Sequence, residues 1–348
     1  MKRGGLSKVV TSLIMILLVL IALGVIWVVI SNLLQTSSEK ISISDLTSNL
    51  EIQKVTLDQG TYNVQVKRTS GKEEISKIKI ILSDGKTSEI FENLEGIGEI
   101  EVKNYPLTPE NLGLITSVSV VPTFKDGEKE VESNKPIEKE VSKANQLESM
   151  GAIAWWEFEG NAEDSIGEND GTCTACPDYI EGKNGRAVDF DGTQAIIVPN
   201  SDSLHTPTQL TWIAWINLTK TNWNDRYERW ATIFAKQNYW EEEWFSIYSG
   251  KQIICYLDNN KGKSINTITP NRWEQIAIKW NGSEAHYYLN GEQIYTQYYS
   301  GKINQRNTPL TIGANGANTN YHWVGQIDDI MIFNRSLSDA EIKQIYNS

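Results

Sequence analysis

Cysteine and histidine are scarce in this chain, with three of each among 348 residues. Three cysteines exclude a fold that depends on a dense disulfide framework, and three histidines leave few groups for histidine-based catalysis. Basic residues are also in the minority, 32 against 44 acidic ones, which gives a net charge of −12. Because nucleic-acid binding needs a concentrated basic face, this balance argues against a nucleic-acid partner.

One long apolar run lies near the N-terminus. Of the 22 residues in the range 9–30, only Thr11, Ser12 and Gly24 are not apolar. A helix of that length covers about 33 Å at 1.5 Å rise per residue, which is enough to cross a hydrocarbon core of about 30 Å. We therefore predict a single transmembrane helix at residues 9–31, with a buried core helix as the alternative.

The residues before this run, 1–8, contain three bases and no acid. By the positive-inside rule they form a basic cytoplasmic leader, and the rest of this single-pass chain is expected outside the cell. This start resembles the class III signal of archaeal type IV pilins and archaellins, in which a basic leader ending in glycine is removed. The resemblance implies cleavage between Gly5 and Leu6 and self-assembly through the retained helix. A plain signal anchor would have nearly the same sequence.

Apolar and polar residues alternate in short runs within residues 37–133, for example at 62–67 and 99–103. Such runs, separated by turn signals at Gly60, Gly85 and Gly127, predict the strands of a small immunoglobulin-like β-sandwich. Nothing in it suggests chemistry, so we interpret it as a spacer. The following residues, 134–149, are rich in Lys and Glu and predict a solvated linker.

Tryptophan is concentrated in residues 150–348, which hold eleven of the twelve. The stretch 209–216 is apolar on both faces, as expected of a central strand in a sandwich. Asn290 and Gly291 form a strong hairpin signal, and Ser338 with Glu341 forms a capping box that starts a short final helix. The segment therefore predicts one all-β sandwich.

Six segments of this C-terminal part resemble, in chain order, the laminin-G-like, concanavalin A-like jelly roll. They are residues 155–167, 182–192, 210–215, Trp273, 288–291 and 324–342. The resemblance implies a jelly-roll head at residues 150–348. With the transmembrane helix and the immunoglobulin-like spacer predicted above, the sequence indicates an all-β chain behind one N-terminal membrane helix. It implies function only loosely, because this fold is found in lectins, adhesion modules, glycanases and structural domains.

Glycanases with this fold use a closely spaced acidic triplet, E-x-D-x-x-E, and the sequence does not contain one. Glu157 with Glu159 and Asp189 with Asp191 are pairs that lack a third member. The contiguous acids at 241–243 alternate between the two faces of a strand. We therefore expect no enzymatic activity.

The resemblance also implies one structural calcium ion, placed where the opening loop meets the closing strand. Calcium takes six to eight oxygen ligands, usually with carboxylates among them. Asp164 in the first loop and Asp328 and Asp329 near the end of the chain occupy the matching positions. In the alternative interpretation, Asp164 is a turn residue and Asp328 caps a backbone group.

Two strongly polar segments, 221–230 and 238–244, contain aromatic residues beside Asn, Asp and Arg. This composition suits sugar binding, because a ring can stack on C–H groups while polar neighbours bind the hydroxyls. The alternative is that the rings fold back over a sheet edge, since Trp is seldom fully exposed. The candidate ligand-binding residues are Trp223, Asn224, Asp225, Tyr227, Tyr239 and Trp240.

Cys173 and Cys176 lie in a turn-rich loop, where a local disulfide is the expected state outside the cell. Cys255 lies between apolar residues and is predicted to be a buried strand residue. Taken together, the sequence predicts a membrane-anchored surface protein whose head binds an extracellular glycan or glycoprotein in adhesion. A pilin-like filament subunit with a structural head is the alternative, and a polysaccharide-cleaving enzyme is a third hypothesis.

Overall fold

The computed structural model describes residues 49–71, 73–219, 230–238, 241–249, 252–257, 260–303, 307–316 and 321–348. The predicted leader at 1–8, the transmembrane helix at 9–31 and the cleavage site between Gly5 and Leu6 lie outside the described residues. Within the described ranges, no helix has the length and apolar character needed to cross a membrane.

Two antiparallel sheets form the middle part of the chain. One has the order β1-β2-β5 and the other β4-β3-β6-β7, with β8 also paired to β6. The strands are β1 (Leu50–Asp58), β2 (Thr61–Arg68), β3 (Glu74–Ser83), β4 (Ser88–Glu95), β5 (Val102–Leu107), β6 (Ser117–Asp126), β7 (Lys129–Glu132) and β8 (Ile137–Glu140). The alternation noted in β2 buries Tyr62, Val64 and Val66 against the other sheet. The immunoglobulin-like assignment of this sandwich stays a prediction.

The segment predicted to be a solvated linker, residues 134–149, is ordered instead. It contains β8 and a short helix, α1 (Lys143–Ser149). Gln146 of this helix is buried and accepts a hydrogen bond from the Tyr62 hydroxyl at 2.9 Å, while its amide nitrogen donates to the Ile115 carbonyl at 2.8 Å. Leu147 is fully buried beside it. Charge content suggested a linker, but two well-placed uncharged side chains anchor the segment to the core.

The head is a sandwich of an eight-stranded sheet and a six-stranded sheet. The first has the order β10-β11-β22-β13-β18-β19-β20, with β9 beside β22, and the second has the order β12-β21-β14-β15-β16-β17. The strands are β9 (Ala152–Trp156), β10 (Asp178–Glu181), β11 (Arg186–Asp191), β12 (Ile196–Val198), β13 (Leu210–Leu218), β14 (Trp230–Asn238), β15 (Glu241–Tyr248), β16 (Gln252–Leu257), β17 (Asn260–Thr267), β18 (Trp273–Trp280), β19 (Glu284–Leu289), β20 (Glu292–Tyr298), β21 (Leu310–Ile312) and β22 (Val324–Phe333).

The two sheets of the head enclose one aromatic and aliphatic core. Trp212 of the eight-stranded sheet contacts Phe234 of the six-stranded sheet, with ring centroids 5.1 Å apart. The predicted capping box is present, with Ser338 and Glu341 satisfying each other's backbone groups at the start of helix α2 (Asp339–Asn347). Sheet composition and closing helix agree with the predicted jelly roll.

The middle sandwich and the head share a second core rather than being joined by a flexible connection. Tyr288 and Phe333 on the outer face of the eight-stranded sheet are buried in the same cluster as Leu57 of the middle sandwich. Ile345 of α2 is buried there too, and the Gln344 amide donates to the Gly60 carbonyl at 3.0 Å. One end of this outer face is therefore covered by the middle sandwich and α2.

Candidate functional site

The six residues predicted to bind a ligand all lie outside the described residues. Four of them fall between Thr219, which follows β13, and Trp230, which begins β14. The other two separate β14 from β15. They are Trp223, Asn224, Asp225 and Tyr227, and Tyr239 and Trp240. Their role in sugar binding stays a prediction.

Strand register brings five other aromatic rings together on the outer face of the six-stranded sheet. Trp230 of β14 is paired with Tyr248 of β15, and Trp244 of β15 is paired with Tyr256 of β16. Tyr321 joins them because its carbonyl accepts a hydrogen bond from the backbone of β14. We call these five residues the aromatic cluster. They point away from the core, which takes Phe245 and Cys255 from the same strands.

In the aromatic cluster one ring is buried and the other four are packed around it at different angles. Trp230 and Trp244 stack with centroids 4.9 Å apart and planes inclined by 22°. Tyr248 lies 4.7 Å from Trp230 at 59°, and Tyr256 lies 4.8 Å from Trp244 at 48°. Tyr321 is 5.8 Å from Trp244. Trp244 is only 3% exposed, whereas the other four rings are partly exposed.

Sequence reasoning selected the two segments that contribute Trp230 and Trp244 but chose other residues within them. The signal that was missed is the alternation of side chains between the two faces of β15. Trp244, Ser246 and Tyr248 alternate along β15 and therefore share one face, and Tyr256 meets them from the next strand. The pairing of β15 with β16 could not be derived from the sequence without knowing the hairpin register.

The Asp164 carboxylate forms hydrogen bonds within the first loop of the head and to the strand before it, β9. Its Oδ1 accepts hydrogen bonds from the backbone N–H groups of Trp155 and Ile166, at 2.9 and 3.1 Å. Its Oδ2 accepts from the backbone and side-chain amide of Asn169, at 3.2 and 2.8 Å. These four bonds are those expected of a carboxylate that organises a turn, the alternative interpretation of this residue.

Asp328 and Asp329 lie beside each other at an irregularity in the pairing of β22 with β13. Asp328 Oδ2 accepts from the backbone N–H groups of Lys183 and Asn184, at 2.9 and 3.0 Å. Asp329 accepts from the Trp155 indole and from the Asn184 side chain, both at 2.8 Å. Together the two carboxylates fix the turn between β10 and β11 against the closing strand.

The Asp328 carboxyl group is fully buried. Burial, with a further contribution from the neighbouring Asp329 charge, raises its pKa to about 8. Its Oδ1 has no hydrogen-bond partner in the part of the chain that the structure describes. Trp155 connects two of the three predicted calcium ligands, because its backbone N–H donates to Asp164 and its indole N–H donates to Asp329.

These contacts bear on the fit of a calcium ion. Both oxygens of Asp164 and of Asp329 accept hydrogen bonds, and Asp328 Oδ1 is the one carboxylate oxygen of the three residues that accepts none from the described residues. A calcium ion takes six to eight oxygens, and the described ranges contain no group of three or more His, Cys, Asp or Glu arranged to hold a metal. Calcium binding stays a prediction.

The predicted disulfide is present between Cys173 and Cys176. It closes a small loop that packs against the edge of the head core through Cys173. Cys255 is buried in the same core, as predicted, and burial raises the pKa of its thiol. The thiol of Cys255 is therefore a packing group.

Comparison with known proteins gives a family match within the head. Residues 190–343 match the family described as the concanavalin A-like lectin/glucanases superfamily. No curated protein matches the chain.

Solved structures resemble the head at low sequence identity. Domain 4 of AbnA, an extracellular arabinanase from Geobacillus stearothermophilus in complex with arabinotriose, is 18% identical with a TM-score of 0.47, over 56% of this chain and 98% of that one. The binding domain of Paraclostridial Mosquitocidal Protein 1 is 18% identical with a TM-score of 0.49, over 58% and 53%. The binding domain of botulinum neurotoxin serotype G is 18% identical with a TM-score of 0.46, over 56% and 50%.

This chain thus spans about half the length of the two toxin domains. Residues 190–343 match the model of the concanavalin A-like lectin/glucanases superfamily, and the two-sheet sandwich that contains them agrees with a jelly-roll domain of that kind.

Proposed function

We propose that the head binds glycans through the aromatic cluster. The observation that carries this proposal is the placement of partly exposed Trp and Tyr rings on the outer face of the six-stranded sheet. Aromatic faces stack on the C–H surfaces of sugars, and Tyr hydroxyls at their rims provide hydrogen-bonding groups. The opposite outer face is engaged at one end by the middle sandwich, so the cluster points to the side away from it.

We infer a binding protein rather than an enzyme. The superfamily description covers both lectins and glucanases, so the choice depends on the residues of this chain. Hydrolysis by a retaining or inverting mechanism requires two carboxyl groups placed on either side of the scissile bond. The sequence lacks the acidic triplet that supplies them in glycanases of this fold.

We also propose that residues 9–31 anchor the protein in the cell membrane and that the head faces the exterior. The Cys173–Cys176 disulfide supports an oxidising location. A glycan-binding head fused to a middle sandwich would then be displayed at a fixed orientation, because the shared core restrains the two parts. A structural calcium ion near Asp328 belongs to the same proposal.

A glycan array probed with the purified full chain tests this function, with calcium and with a chelator in parallel. Wild-type protein is expected to bind a defined set of glycans, and Trp230→Ala and Tyr256→Ala are expected to lose that binding. Tyr298→Ala is the matched control, because Tyr298 is an 81% exposed ring on the other sheet. Equal binding by all four proteins would reject the aromatic cluster, and release of shorter saccharides from bound glycans would reject the non-catalytic role.

A further inference from the structure

A second group of side chains is aligned on the eight-stranded sheet by strand register. Trp273 of β18 is paired with Asn217 of β13, and Asn217 is also paired with Gln326 of β22. Gln326 is paired with Asp189 of β11, which is paired with Asp178 of β10. Directly opposed residues in antiparallel strands share a face, so these five form one row across five strands. We call them the polar row.

The polar row faces away from the core. The residues adjacent to it along the strands, Ile216, Ile327 and Val188, are buried between the two sheets of the head. Because successive side chains in a strand alternate between faces, Asn217, Gln326 and Asp189 lie on the outer face. Asp178 is exposed there, and the other four members are partly exposed.

The row begins where the covered part of this face ends. The next row on the same face consists of Gln275, Trp215 and Asp328, each two residues from its neighbour in the polar row. All three are buried. The Lys183 ammonium group lies 4.7 Å from the Trp215 ring centroid, and the Tyr346 ring stacks on Trp215 at 5.5 Å. Two residues of a strand span about 7 Å, so the polar row lies about that distance beyond the row that Lys183 and Tyr346 cover.

The chemistry of the row changes in order from one end to the other. Trp273 supplies an aromatic ring, Asn217 and Gln326 supply amides, and Asp189 and Asp178 supply carboxylates. The Gln326 amide nitrogen donates to Asp189 at 3.0 Å, which holds both side chains in place. The Asn217 amide oxygen is buried and has no hydrogen-bond partner among the residues that the structure describes. Buried acceptors are normally hydrogen-bonded in folded proteins, and no described residue donates to this one.

The dimensions of the row suit an extended ligand. Neighbouring strands lie about 4.8 Å apart, so five strands place these side chains along about 19 Å. A linear oligosaccharide presents an apolar face to stack on a Trp ring and a series of hydroxyls that donate to amide and carboxylate oxygens. The two carboxylates would repel uronic acid or sulfate groups, so the row suits neutral sugars.

We propose that the polar row is a second carbohydrate site, which binds a linear neutral oligosaccharide laid across the strands of the eight-stranded sheet. It lies on the opposite sheet from the aromatic cluster, and the chain from Thr219 to Trp230 joins the strands that carry the two sites. Two sites on one rigid head allow a branched or polymeric glycan to bind at both, with a gain in avidity that neither site provides alone.

The proposal is tested by titration calorimetry of the purified full chain with neutral linear tetrasaccharides of glucose, mannose and xylose, and with a galacturonic acid tetrasaccharide. A neutral tetrasaccharide is expected to bind, and Gln326→Ala and Trp273→Ala are each expected to weaken that site about tenfold, as the loss of one or two hydrogen bonds or of a stacked ring would. Gln293→Ala, an exposed glutamine on the same sheet, is the matched control. Melting temperatures of all variants confirm that they fold.

The outcomes separate this proposal from the aromatic cluster. Binding that survives in Trp230→Ala but weakens about tenfold in Gln326→Ala supports the polar row. Binding that is lost in Trp230→Ala and unchanged in both row variants overturns the row and leaves the first site standing. Preferred binding of the galacturonic acid tetrasaccharide also overturns it. If wild-type protein binds no glycan on the array and none of the tetrasaccharides, both sites are rejected.

Discussion

Trp230 and Trp244 stack on each other from two neighbouring strands, with their planes only 22° apart. The stack separates two roles that the sequence does not distinguish. Trp244 is 3% exposed and is covered by the other rings, so it supports the surface. Trp230 is partly exposed, and in the proposed function it is the ring that a glycan contacts.

We therefore expect substitution by alanine to lower mainly the stability at Trp244 and mainly glycan binding at Trp230. Trp244→Ala removes a buried indole and is expected to cost about 3–5 kcal/mol of unfolding free energy. Trp230→Ala removes a partly exposed ring, and its cost in stability is expected to be smaller while glycan binding is lost. Urea denaturation with binding assays on the folded variants measures both quantities. Equal destabilisation by the two variants would contradict the assigned roles.

The buried Asp328 predicts an unusual dependence of stability on pH. Its pKa is raised to about 8 in the folded state, against about 3.9 in an unfolded chain. The folded state therefore binds the extra proton between these values, and the stabilising contribution is complete below about pH 4 and is lost as the pH rises towards 8. Denaturant unfolding in chelator-containing buffer at several pH values measures the slope.

Asp328→Asn provides the control for that slope. Its amide oxygen can still accept from the Lys183 and Asn184 N–H groups, so the turn is retained while the titration is removed. We expect a shallower decline between pH 4 and 8 than in wild type. Asp329→Asn is expected to be destabilising instead, because both Asp329 oxygens accept hydrogen bonds and an amide has one acceptor. A wild-type slope in Asp328→Asn would contradict the assignment.

The shared core predicts that the middle sandwich and the head unfold together. Ile345 of α2 is fully buried between them, and Ile345→Ala is expected to cost about 2–5 kcal/mol. Calorimetry should show one transition for both parts in wild type, shifted to lower temperature in the variant. Two separate transitions in wild type, with only one of them moved by Ile345→Ala, would show that the parts are independent.

The resemblance to pilin signals makes a prediction that the described residues do not address. If the leader is removed, the mature N-terminus is Leu6 in the native membrane fraction. N-terminal sequencing of protein from its own host determines this directly, with a Gly5→Leu variant as the processing control. Retention of Met1 in the membrane-bound protein would instead favour a plain signal anchor.

The sequence predicted the head well because its information is local and ordered. Asn290 and Gly291 fix a hairpin, Ser338 and Glu341 fix a helix start, and apolar stretches mark the central strands. It failed for the linker because Gln146 is buried by a partner, Tyr62, far away in the chain. The aromatic cluster and the polar row were missed for the same reason, since both depend on which residues oppose each other across paired strands.

The most direct test of glycan recognition by the aromatic cluster is a calorimetric titration of the best array ligand into wild type, Trp230→Ala and Tyr298→Ala. We predict that the affinity of Trp230→Ala falls at least about tenfold, as expected for a lost stacked ring with its dispersion and apolar contacts, and that Tyr298→Ala binds as wild type does. Wild-type affinity in a folded Trp230→Ala protein would contradict the account.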